Sequence, residues 1–268
     1  MKIQIIAVLA LFLSVSIIFA QEKVVVAGSG NLNDEITDIA KAYMAKNPGD
    51  VIDVRQEHMS TTGGIEGVQS GRLQIGLISR RLTDQEKNKL VYRALARSIA
   101  VVSVNKAIAI TSLSETQICD IFSGKITSWK EVGGGELKVT VLSRKRDDGN
   151  FETFRAKMPC FKDLKITPDA ISLSRGNEVL SAIDKRPGTV GLTSMGSTFR
   201  EMENIKALAI NGVVPSPDAV RSDKYRFFHE HGIVTLGEPQ GLSKRFIEFI
   251  ASADSQRILG SRGAIPVR

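Results

Sequence analysis

Three turns in this chain place small polar residues and glycine immediately before a run of apolar residues at helical spacing: Ser29-Gly30-Asn31, Thr61-Thr62-Gly63-Gly64 and Asp148-Gly149-Asn150. A helix N-terminus presents unpaired backbone N–H groups and a partial positive charge, so it attracts anions without needing a lysine. Short hydroxyl and amide side chains add hydrogen-bond donors there, and glycine lets the backbone come close to a ligand. Ordinary helix caps use the same residues, and capping alone accounts for any one of these turns. Three in one chain point to capture of a small anion. None of them leads into Gly-Lys-Ser/Thr, which excludes the phosphate loop of nucleotide hydrolases.

The remaining chemistry-bearing residues are sparse. His229 and His231 stand two apart and share one face of a strand, with Glu230 between them, which is not a metalloprotease helix motif; a structural role is expected for the pair. Trp129 is expected to be a packing anchor. Arg144-Lys145-Arg146 is a basic cluster, either a docking patch or, as expected of a basic surface turn, simply solvated. There is no catalytic triad spacing, metal-ligand cluster or nucleotide loop, so no enzyme activity, cofactor or metal is expected. The two cysteines, Cys119 and Cys160, are consistent either with a disulfide or with two separate buried thiols.

Positioning these turns requires an alternation of strands and helices. Val24–Ala27 is a strand, and a helix opening near Asn33 carries Ile36, Ile39, Ala40, Tyr43 and Met44 before stopping at Asn47-Pro48-Gly49. Val51–Val54 and Leu73–Ile78 are further strands, with a short helix through Val68 between them. The run Ala94–Val104 is too continuous for a half-exposed strand; it belongs in a sheet interior or crosses between lobes. The pattern then restarts. A helix capped by Ser114 ends at Gly124, and Leu137–Leu142 is a strand. A helix follows Asp148-Gly149-Asn150, another covers Asn177–Ile183, and Gly188–Leu192 returns as a strand. An amphipathic helix covers Gly241–Arg257. This rhythm predicts α/β architecture with mainly parallel strand pairing.

Residues 1–20 combine Lys2, an apolar stretch and a small residue, Ala20, ahead of Gln21-Glu22-Lys23, the pattern of a cleavable secretory signal peptide; an uncleaved anchor is the competing reading. Removing it leaves 248 residues of net charge +6, because Lys2 is the only charge lost from the +7 of the 268-residue chain. That length suits one large domain or two lobes. A pI near 9.4 favours an anionic partner. The basic residues are scattered, and one Trp and three Tyr offer little for base stacking, so nucleic acid is not expected as the partner.

The segment Asp120-Ile121-Phe122-Ser123-Gly124-Lys125-Ile126-Thr127-Ser128-Trp129-Lys130-Glu131-Val132-Gly133-Gly134 resembles the hallmark of the PstS-like phosphate-binding proteins of ABC importers. The resemblance continues in order through Ser143-Arg144, Glu152-Thr153-Phe154, Pro187–Gly191, Gly237–Leu242 and Gly263–Val267. It implies a type II periplasmic-binding-protein fold: two α/β lobes joined by a hinge, 21–104 plus 226–268 forming lobe 1 and 105–225 forming lobe 2. It also implies a monomer in the periplasm that binds phosphate or a related oxyanion between its lobes and delivers it to an ABC permease. A sensor or interaction module with altered or lost anion binding is the alternative, and hydrolysis of phosphate esters ranks below both.

Carried over residue by residue, the resemblance places Asn31 and Leu32 in the first ligand loop, Thr61 and Thr62 in the second, and Ser79 at the end of the third strand. In the second lobe it places Arg144, then Asp148, Gly149 and Asn150 where the family has Ser-Gly-Thr. Asp148 departs from the pattern. Its carboxylate either accepts the proton of a monohydrogen phosphate, or pairs with Arg144 or caps the following helix.

Overall fold

The alternation in the sequence folds into a twisted mixed sheet flanked by helices; the computed structural model describes residues 22–144 and 149–267. The signal-peptide and anchor readings of 1–20, and both readings of Asp148, fall outside the described residues.

The chain opens with β1 (Lys23–Ser29), a 3-10 turn at Gly30–Leu32, α1 (Asn33–Lys46), β2 (Val51–Met59), α2 (Thr61–Gln69), β3 (Ile75–Ile78) and β4 (Leu90–Asn105). It continues through β5 (Ser112–Leu113), α3 (Glu115–Ser123), β6 (Thr140–Arg144), α4 (Gly149–Lys157), β7 (Ile171–Leu173), α5 (Gly176–Lys185) and β8 (Thr189–Ser194). The last third holds α6 (Ser197–Glu201), β9 (Ile205–Ala207), β10 (Ala209–Ile210), α7 (Pro217–Arg221), β11 (Phe228–Leu236), α8 (Gly241–Ile250), α9 (Ala253–Ser261) and β12 (Ile265–Pro266).

The apolar spacing explains the helices. Ile36, Ile39, Ala40 and Tyr43 line the buried stripe of α1, with Asp34 and Glu35 in its first turn and Lys46 in its last, each complementing the helix dipole. Helix α3 starts in a capping box: Gln117 N–H donates to Ser114 Oγ at 3.1 Å, and Ser114 N–H donates to Gln117 Oε1 at 2.8 Å. It stops where Gly124 turns left-handed at φ 80°. Two elements depart from the sequence expectation. The helix expected across Gly241–Arg257 is broken at Ala251-Ser252, where Ser252 Oγ accepts from Ser255 N–H and caps α9 afresh. Strand β2 runs past Val54 to Met59 because, after a register shift, its end stays paired with Gly28 and Ser29 of β1.

Strand order is β2-β1-β3-β11-β4-β8-β6-β7, with β9 and β12 also paired to β4. The outer pairs β1–β2, β1–β3, β6–β7 and β6–β8 are parallel, whereas β11 and β4 bring antiparallel pairing into the middle. Pairing is therefore more mixed than expected. The long apolar run is accounted for by β4: Leu90–Ile99 lies against β11, and the buried Ala100–Val104 against β8. Three apolar clusters follow this change of partners. One draws on residues between Ile99 and Phe228 plus Ile265, and includes Phe122, Trp129, Phe154 and Phe161. The other two draw on Val24 to Ala96 and Ile233 to Ala264. In the first, Trp129 is fully buried and donates Nε1–H to Gly188 O at 2.8 Å, the expected packing anchor. The cysteines are joined: Cys119 of α3 and Cys160 form a disulfide across 41 positions of chain.

A charged and a neutral wall around a polar cleft

Close packing of backbone brings the first two ligand loops together. A Cβ at Gly28 would stand 2.2 Å from Leu77 O, and one at Gly64 would stand 2.7 Å from the same oxygen. Only glycine at these two positions lets β1, α2 and β3 converge. Ser60 caps α2, its Oγ accepting from Gly63 N–H at 3.1 Å. One residue on, Thr61 Oγ1 accepts from Ser79 N–H at 3.1 Å. Ser79 Oγ in turn lies 2.6 Å from Ser29 Oγ. The structure thus gathers Ser29, Thr61 and Ser79 at one point. Thr62 is exposed on α2, the Leu32 side chain is buried in the core beneath α1, and Asn31 belongs to the 3-10 turn.

Strand β11 extends this cluster inward. His231 is completely buried, with Nδ1 3.0 Å from Ser79 Oγ and Nε2 2.8 Å from Ser98 Oγ on β4. The His229 ring meets it edge-on with centroids 4.9 Å apart, and His229 Nδ1 is 3.3 Å from Thr153 Oγ1 on α4. Thr153 donates to Gly149 O at 2.8 Å, which ties the string to the first turn of α4. Burial pushes the His229 pKa down to about 4, assisted by the nearby Lys157 charge. Burial also holds His231 well below the usual histidine range, with His229 adding to the effect. Both rings are therefore neutral at pH 7. Glu230 points to the other face, where Arg81 reaches it at 2.7 Å and Tyr92 Oη at 3.0 Å.

Facing this cluster is a cleft of about 750 Å³ whose wall includes Gly30, Ser98, Arg144, Asn150, Ser194 and His229. Strand β6 ends on Arg144, which donates from Nη2 to Ser174 O at 3.3 Å and lies over the first turn of α5, 3.7 Å from a Cβ built at Gly176. The amides of Ser174 and Arg175 ahead of α5 are taken by Glu178 Oε2 at 3.0 and 3.1 Å, so this helix start is self-capped. At the start of α4, Asn150 Oδ1 accepts from Ser194 Oγ at 2.9 Å. Asp34 and Glu35 add an acidic stretch to the cleft wall, and burial raises the Glu35 pKa. Of the residues expected from the sequence, Arg144 and Asn150 line the cleft directly, while Thr61 and Ser79 connect to it through His231 and Ser98. The hydroxyl of Ser98 and the hydrogen-bonding role of the two histidines were missed. The available signals were the serines inside an apolar strand, Ser98 and Ser103, and the two-residue spacing of the histidines.

Comparisons with known proteins agree with this architecture. The PBP superfamily domain matches residues 19–254. The phosphate-binding protein PstS of Bacillus subtilis is 29% identical over 92% of this chain and 82% of its own length, and that of Borreliella burgdorferi is 23% identical over 92% and 91%. Among solved structures, a putative phosphate ABC transporter substrate-binding protein with bound phosphate from Clostridium perfringens superposes with a TM-score of 0.77 at 26% identity, covering 92% of this chain and all of that one. An ABC-type phosphate transport receptor from Vibrio cholerae gives 0.74 at 25% identity, covering 91% and 99%. The chain belongs to the PBP superfamily, has the type II periplasmic-binding-protein fold and resembles the PstS proteins over nearly its whole length.

Proposed function

We propose that this protein binds phosphate, or a closely similar oxyanion, in the cleft between Arg144 and Ser98 and hands it to an ABC importer. The observation that carries this reading is the cleft itself, where a guanidinium at the end of β6 and Asn150 in the first turn of α4 share a wall with Ser98 and the neutral His229. A guanidinium supplies charge-assisted hydrogen bonds, and a helix start supplies amides and a partial positive charge. Leu32, Thr61, Thr62 and Ser79 act from the β1 and β3 side. Arg144, Asp148, Gly149 and Asn150 act from the other. The chain divides into lobes of 21–104 plus 226–268 and 105–225, which close over the anion as β4 and β11 flex. Residues 1–20 direct export and are removed, and the Cys119–Cys160 disulfide suits an oxidising compartment. The names of the relatives, phosphate-binding proteins and phosphate transport receptors, support the choice of ligand.

Asp34 and Glu35 on the cleft wall favour a second reading, a sensor that binds anions weakly because carboxylates repel them. Isothermal titration of the purified mature protein with phosphate and with sulfate, at constant ionic strength, separates the two. Saturable one-site binding of phosphate supports the transport reading, and its absence selects the sensor.

A further inference from the structure

His231 has no counterpart among the expected ligand residues, yet each of its ring nitrogens holds a serine. Nδ1 lies 3.0 Å from Ser79 Oγ, Nε2 lies 2.8 Å from Ser98 Oγ, and Ser79 Oγ continues to Ser29 Oγ at 2.6 Å. A neutral imidazole carries one N–H donor and one bare nitrogen acceptor. If Nε2 carries the hydrogen, it donates to Ser98, whose own hydroxyl hydrogen is left to point into the cleft. If Nδ1 carries it, Ser98 must donate inward to Nε2, and its oxygen faces the cleft as an acceptor. The two states contain the same atoms and the same charge. They differ only in the direction of the whole string.

We propose that His231 is a positioning residue that sets whether Ser98 donates to, or accepts from, the bound oxyanion by exchanging its two neutral tautomers. The ring is suited to this. It is fully buried, so water does not compete for either nitrogen, and its partners in the string are hydroxyls that can each run in either direction. The charged groups around it bear on other atoms: Glu230 pairs with Arg81 on the opposite face of β11, and Lys157 on α4 donates to Arg226 O and Phe228 O. The string therefore answers to the anion in the cleft. An anion without a proton calls for a donor and selects Nε2–H. An anion carrying a proton offers that proton to Ser98 and selects Nδ1–H.

This inference rests on the oxyanion reading above, and the test keeps the two apart. At about pH 8 sulfate and phosphate are both dianions and differ by the one proton that phosphate retains. The protein labelled with ¹⁵N-histidine and saturated with each anion in turn is expected to show His231 neutral in both complexes, Nε2-protonated with sulfate and Nδ1-protonated with phosphate. The Ser98→Ala variant is expected to lose about tenfold in affinity for both anions, the worth of one hydrogen bond to a charged group, and to show one tautomer throughout. Binding of both anions with a single His231 tautomer in the native protein overturns the relay and leaves the oxyanion reading standing. Failure of the native protein to bind either anion overturns both.

Discussion

The two sides of the cleft hold polar groups by different means. On the side of β6, α4 and α5, Arg144 brings a full formal charge, and its place is fixed by Ser174 O and the start of α5. On the side of β1, β3, β4 and β11, Ser98 and the neutral His229 line the cleft beside the acidic Asp34 and Glu35 of α1, and Ser29, Thr61, Ser79 and the neutral His231 stand behind Ser98. A charged wall supplies attraction to any anion, whereas a neutral wall of reorientable hydroxyls distinguishes anions by their hydrogens. Under the proposed function, affinity belongs mainly to the Arg144 side and discrimination to the hydroxyl side.

The largest effect expected from breaking this division comes from the charged side. Arg144→Ala should abolish saturable anion binding while leaving unfolding cooperative, since each charge-assisted bond lost is worth about 1.5–3 kcal/mol. Titration calorimetry beside a thermal melt checks both halves of that statement.

The next comes from the cysteine pair, which ties the buried Cys119 of α3 to the exposed Cys160. Reduction should lower unfolding free energy by about 3–4 kcal/mol, as for a cross-link closing a loop of intermediate length, with anion affinity below the new melting temperature little changed. Denaturant titrations with and without reductant give the difference.

The neutral wall should reveal itself through acid. His229 has a folded pKa of about 4, below its unfolded value of about 6.5, because burial disfavours the imidazolium. Between these values the unfolded chain binds more protons than the folded one, so stability falls as pH drops through that window and is fully present above it. Each such histidine contributes a slope of about 1.4 kcal/mol per pH unit. Melts from pH 7 to 4 should show this slope in the native protein and a shallower one in His229→Asn. The smallest effect belongs to Thr61→Val. That change removes the acceptor of Ser79 N–H and should cost about 1 kcal/mol of stability together with a modest loss of phosphate affinity.

Much of the fold was legible because it rests on local signals. Apolar spacing located α1, Ser114 and Gly124 delimited α3, and the mainly apolar run Ala94–Val104 announced the interior strand β4, which is buried continuously from Ile99 to Asn105. The new start of α9 at Ser252 was missed, because a cap inside a continuous amphipathic pattern leaves the periodicity undisturbed. At the site, Asn150 was readable from its place in a helix-opening turn, and Arg144 only from the family resemblance. The string through His231 was not. It joins residues 29, 79, 98 and 231, which only the sheet order β1-β3-β11-β4 brings side by side, and nothing in one strand's sequence gives the register of its neighbours.

The central claim is that one oxyanion lies between the Arg144 wall and the hydroxyl wall. Locating arsenate, a tetrahedral phosphate analogue with a strong anomalous signal, in crystals of the mature protein tests it most directly. The account predicts a single anomalous peak within hydrogen-bond reach of the Arg144 guanidinium and the first turn of α4. A peak elsewhere on the surface, with the cleft empty at saturating arsenate, would contradict it.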